Sequence, residues 1–92
     1  MRIEIQAIDR RASEIQETMA AIRAALEQVV DQIARVVVRL SAKTRRKQPL
    51  SRCVIEVHLT NGQVEIVEER QRRSGAAVRR ALGRIWKAVA KR

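Results

Sequence analysis

Aromatic side chains are nearly absent: Trp86 stands alone, with no phenylalanine or tyrosine in 92 residues. Single-stranded RNA readers usually stack bases on several aromatics, so this sequence argues against that mode. The lone cysteine, Cys53, cannot form an intramolecular disulfide, which removes a disulfide scaffold and fits a reducing compartment. It sits in an alternating apolar run and reads as a small buried hydrophobe. The lone histidine, His58, has no second His or Cys placed to complete a metal site. Cys53 and His58 lie an odd number of residues apart on a strand, so they face opposite ways and make no nucleophile–base pair. Glu68 and Glu69 are adjacent and diverge in the same manner. Three isolated glycines form no phosphate-cradling loop. The sequence therefore reads as a non-enzyme with no cofactor, no metal and no small-molecule substrate. No apolar run approaches the roughly 18 residues that span a bilayer, and Met1–Ile5 is too polar for a signal peptide. A cytoplasmic location follows as the expectation.

Acidic residues are also missing from long tracts. Twenty Lys or Arg against ten Asp or Glu give a net charge of +10. Residues 32–55 and 70–92 contain no acid at all, while residues 56–69 contain no Lys or Arg. A field of this sign attracts polyanions, of which nucleic acid is the commonest and an anionic membrane the second.

What is present is aliphatic and periodic. Residues 2–8 alternate, with Ile3, Ile5 and Ala7 on one side, as in a half-buried strand. Ser13 and Gln16 then suggest a capped helix start. Ile15, Met19, Ile22, Leu26, Val29 and Ile33 follow at steps of four and three, an amphipathic helical stripe. At Ala34–Leu40 the period falls to two: Val36, Val38 and Leu40 take one face, and Arg35, Val37, Arg39, Ser41 and Lys43 the other. Thr44–Pro49 reads as a basic loop, with Pro49 ending strand pairing. Residues 52–60 and 63–69 alternate about Asn61-Gly62, which predicts a tight two-residue hairpin turn. That register sets Val64 and Ile66 on the core face with Val57 and Leu59, and pairs His58 with Glu65 on the other. Ser74 suggests a second cap, and Val78, Leu82, Ile85 and Val89 a second amphipathic helix. Gly83 lowers that helix's intrinsic stability by about 1 kcal/mol.

The order predicts an α+β fold, β-α-β-β-β-α, in one domain spanning residues 1–92. Strand, helix, strand at the start implies a parallel pair. The simplest packing is a four-stranded mixed sheet with two helices on one face and the other face exposed and polar.

On the last helix the cations have a definite geometry. At about 100° per residue, with Arg79 at zero, Arg80, Lys87, Lys91 and Arg84 fall between about 80° and 140°. The apolar stripe falls between about 240° and 300°. Such a row of flexible cations, with no interleaved acids, can meet phosphates along an RNA strand. Arg45, Arg46 and Lys47 form a second cluster, which Arg39 and Lys43 could extend across the exposed sheet face. Trp86 flanks the apolar stripe, where core-edge packing is the plain reading and base stacking the sharper one.

Val54-Ile55-Glu56-Val57-His58-Leu59-Thr60-Asn61-Gly62, followed by Gln63–Ile66, is similar to the third and fourth strands of the ribosome hibernation promoting factors and ribosome-associated translation inhibitors of bacteria. Gly75-Ala76-Ala77-Val78 resembles the start of that family's final helix, and the family's basic residues match Arg84, Lys87 and Lys91. The resemblance covers nearly the whole chain. It implies a fold like that of double-stranded RNA-binding domains, and binding to small-subunit rRNA in the channel for messenger and transfer RNA. It further implies down-regulated translation in starved cells, with no reaction catalysed. Arg73-Ser74-Gly75 differs from the family's Asp-x-Tyr, and Ala7 stands where a glycine is common. The sequence ends at the last helix, so ribosome pairing by the long form's C-terminal domain is not expected.

Two rival readings stay open. One is a general structured-RNA or DNA binder of the same fold. The other is an interaction module whose basic faces meet an acidic protein or a lipid surface. The second is weaker, because the last helix needs its apolar stripe for the core; no membrane association is expected. The oligomeric state is left open.

Overall fold

The structure, a computed structural model, describes residues 1–8 and 10–91. The elements are β1 (Arg2–Ala7), α1 (Ala12–Leu26), a 3-10 stretch (Glu27–Gln32), β2 (Ile33–Arg45), β3 (Gln48–Leu59), β4 (Val64–Gln71) and α2 (Ser74–Ala90). The strands lie in the order β1-β2-β3-β4, with β1 parallel to β2 and the remaining pairs antiparallel. This is the predicted β-α-β-β-β-α topology with a four-stranded mixed sheet.

Both helices pack on one sheet face. Val36, Val38 and Leu40 of β2 and Cys53, Ile55 and Val57 of β3 meet Ile22 and Leu26 of α1 and Ala77, Val78, Ala81, Leu82, Ile85 and Val89 of α2. The layer is filled by aliphatic side chains, the larger of which contribute about 1.5–3 kcal/mol each when fully buried. Trp86 is half-buried against its edge, as the core-edge reading required.

The first helix is shorter than its stripe suggested. After Leu26 the chain tightens into 3-10 geometry, and Ile33 opens β2. β-Branched Val29 and Val30 crowd the preceding turn of an α-helix, which weakens its hold there. The serine caps are not formed either. Ser13 lies inside α1 and Ser74 is the first residue of α2; Arg11 and Arg73 hold the N-cap positions without side-chain bonds.

The region read as a basic loop is paired strand. β2 and β3 stay in register as far as Thr44↔Pro49 and Arg45↔Gln48, leaving only Arg46 and Lys47 in the turn. Pro49 is tolerated because pairs alternate along an antiparallel ladder. Counting from the closing pair Arg45↔Gln48, position 49 turns its nitrogen away from β2. β4 pairs no further than Ser51↔Gln71, so no strand there needs the missing donor.

The β3–β4 register is displaced by one residue from the expected one. The Gly62 N–H donates to the Leu59 carbonyl at 3.0 Å and the Leu59 N–H to the Gln63 carbonyl at 2.8 Å, giving a three-residue loop. Gly62 takes a positive φ of 91°, and the Asn61 side-chain oxygen accepts from the Gln63 N–H at 2.9 Å. A slip of one residue exchanges the two faces of a strand. Val64 and Ile66 are therefore exposed, and Val67 enters the core opposite Ile55. Glu65 opposes Val57, and His58 instead bonds Glu56, Nε2 to Oε2, at 3.0 Å. The open sheet face is accordingly less polar than expected. Val37 is 1% exposed within it, Val54 is half-buried, and Val64 and Ile66 border it.

Candidate nucleic-acid interface

α2 presents its apolar stripe to the sheet, so the opposite side must face solvent. Arg80, Lys87 and Lys91 lie there, exposed and, among the described residues, with no carboxylate in salt-bridge range. Arg84 differs from its neighbours. It leans over the edge of β4, donating to the Glu68 carbonyl at 3.0 Å and lying 3.7 Å from the Glu69 carboxylate. It remains 57% exposed, but part of its hydrogen-bonding capacity closes an open strand edge. Arg72 and Arg73 precede the helix, exposed and outside salt-bridge range of any described acid.

The second basic surface is an arm. β1 pairs only to Ala7↔Leu40 and β4 only to Ser51↔Gln71, so beyond these rows β2 and β3 continue as a two-stranded ribbon. Lys43 and Arg45 lie on its open-face side, and Arg46 and Lys47 form its tip. These four are exposed and, among the described residues, unpaired with carboxylates. The tip residues adopt φ of 53° and 63°, the geometry of a type I′ turn, which normally favours Asn and Gly.

Between these surfaces the cations of the open sheet face are engaged within the protein, but its carboxylates balance only part of their charge. Arg35 grips Glu4 with two bonds at 3.0–3.1 Å, and Arg2 lies 3.4 Å from the same carboxylate. The Arg35 bond holds the Glu4 carboxyl below its ordinary range. Arg52 and Arg70 share Glu68, whose carboxyl is also held low, chiefly by Arg52. Arg39 donates to Gln6 at 3.3 Å; its partner is neutral, so that bond leaves its charge uncompensated.

The structure thus keeps Arg80, Lys87, Lys91, Lys43, Arg45, Arg46 and Lys47 open to a polyanion. It gives Arg84 and Arg39 partners within the protein. Sequence reasoning did not single out Arg52. Its significance depends on the cross-strand pair Arg52↔Arg70, which only the correct β4 register reveals.

Other chemistry is sparse among the described residues. No three His, Cys, Asp or Glu side chains cluster to hold a metal ion. Cys53 is fully buried, and desolvation pushes its thiol up to about 11, which leaves it unreactive at neutral pH. No described helix is long and apolar enough to cross a membrane.

No protein-family model and no curated protein matches the sequence. Solved structures do. The chain is similar to the N-terminal domain of Protein Y from Thermus thermophilus, with a TM-score of 0.71 and 22% identity over 99% of this chain and 98% of that one. It is also similar to a ribosomal subunit interface protein from Coxiella burnetii, with a TM-score of 0.74 and 13% identity over 99% of this chain and 96% of that one. End to end, the chain shares the α+β fold of these two solved structures.

Proposed function

We propose that the protein is a ribosome-binding hibernation factor of the cytoplasm. In this reading it occupies the messenger and transfer RNA channel of the small subunit and lowers translation without catalysing a reaction. The observation that carries the proposal is the placement of unpaired cations on two sides of a thin slab. The α2 row faces away from the sheet, while Lys43 and Arg45 lie on the open sheet face. The molecule measures 43 × 24 × 18 Å. A straight duplex can lie on one of these surfaces. A channel walled by RNA can engage both at once, and the phosphate contacts then fix position through RNA shape.

The test is co-sedimentation with small ribosomal subunits at moderate, matched salt. The wild-type chain is expected to pellet with the subunits and to resist displacement by excess duplex RNA. The triple variant Arg80→Glu, Lys87→Glu, Lys91→Glu is expected to stay in the supernatant while its circular dichroism is unchanged. A triple variant that still pellets would remove α2 from the interface. Displacement by duplex in proportion to its phosphate would instead identify a general binder of structured RNA or DNA.

A further inference from the structure

At the corner between the arm and the end of β4, two hollows lie side by side. One, about 440 Å³, is lined by Lys43, Arg45, Arg52 and Arg70, with Ser41 and Leu50. The other, about 540 Å³, adds Arg46 and Arg72 and shares Arg45 and Leu50 with the first. Among the described residues, neither is lined by an acid. The notch exists because β4 stops at Gln71, leaving positions 48–50 of β3 without a neighbour on that side.

The cross-strand pair Arg52↔Arg70 is the anomaly. Like charges directly opposite each other on a sheet destabilise it. Glu68 supplies one carboxylate to both. Arg52 donates to it through Nε, and Arg70 through Nε and Nη2 at 3.4 and 3.3 Å. Both Nη groups of Arg52 and one of Arg70 remain to donate elsewhere. One carboxylate balances one of the two guanidiniums, and Lys43 and Arg45 beside them have no counter-charge among the described residues. The arrangement is short of negative charge, and its donors are already oriented.

We infer that this notch is a cradle for two consecutive phosphate groups of one ligand. The first sits between the Arg52 and Arg70 forks with Lys43 and the Ser41 hydroxyl, and the second between Arg45, Arg46 and Arg72. Leu50 forms an apolar floor between them, suited to a ribose or to an ester oxygen. Planar guanidinium forks match phosphate oxygens in pairs. The phosphates come from a nucleic-acid backbone or from a free phosphoanhydride. The backbone source rests on the proposed function, whereas the cradle itself does not. Glu68 is a positioning residue that aims the two forks.

The experiment titrates the whole chain at low salt with pyrophosphate, with 5′-phosphorylated diuridylate and with inorganic phosphate. It follows heat and the arginine Nε–H resonances. Both two-phosphate probes are expected to bind at least tenfold tighter than inorganic phosphate and to shift the resonances of Arg45, Arg52 and Arg70. Arg52→Ala with Arg70→Ala should weaken both at least tenfold, whereas Arg11→Ala with Arg23→Ala, which removes equal charge from exposed positions at α1, should weaken them less than twofold. Arg52→Lys with Arg70→Lys keeps the charge and should still lose severalfold, because an ammonium cannot fork. The tighter of the two probes identifies the source. Equal losses in the two charge-removing variants, or two-phosphate probes no tighter than inorganic phosphate, overturn the cradle. A chain that holds the probes through these arginines yet fails to pellet with ribosomal subunits overturns the ribosome reading alone.

Discussion

Arg46 and Lys47 occupy backbone conformations that cost most L-residues about 1–2 kcal/mol each. The other hairpin shows the inexpensive solution, one glycine at the one positive φ. At the arm tip two long cations stand where Asn-Gly would fold more easily, so charge at that point is retained against local preference. Arg46→Asn with Lys47→Gly should therefore raise unfolding stability by about 1–2 kcal/mol while weakening binding to small ribosomal subunits. Thermal unfolding and co-sedimentation of the same sample check both halves. Unchanged stability would show that the turn is not strained, and unchanged binding that the tip charges have no partner.

At the scale of elements the β3–β4 hairpin decides how the open face is composed. Val67 is 7% exposed against the core, while Ile66 is 60% exposed. Val67→Ala should cost about 2 kcal/mol through reduced burial and a residual cavity. Ile66→Thr should stay within about 0.5 kcal/mol. Denaturant unfolding of the two variants checks the order, and a two-residue turn would reverse it. The sequence could not settle this point, because Asn61-Gly62 serves equally as the centre of a two-residue turn or as the end of a three-residue loop with glycine last. One residue of loop length then selects every side chain on the strand. β2 and α2 were legible for the opposite reason. Val36, Val38 and Leu40 alternate without ambiguity, and Val78, Leu82, Ile85 and Val89 permit one helical phase. The α2 cation row followed from that phase. The paired arm did not, since Pro49 marks a strand end unless its ladder position is known. Arg84 could be placed on the row, but not its reach to the Glu68 carbonyl, which depends on where β4 lies beside the helix.

At the scale of the whole molecule, two unpaired cationic surfaces on a rigid sheet-and-helix slab should bind phosphate independently. Removing one cation that meets a phosphate should flatten the plot of log affinity against log salt by about 0.7–0.9. Replacing Arg80, Lys87 and Lys91 by Ala, and separately Arg45, Arg46 and Lys47 by Ala, should each lower the slope for small-subunit binding by as much as about 2–3. Because the sets lie on different elements and share no partner, their free-energy penalties should add in the combined variant. Titrations of fluorescently labelled protein with small subunits at several salt concentrations measure all of these. A slope unmoved by the arm set would leave α2 as the sole phosphate-binding surface, and docking on one face of a duplex would then replace occupation of a channel. Penalties that fall short of the sum would mean that both sets serve one flexible stretch of RNA wrapped around the edge of β4.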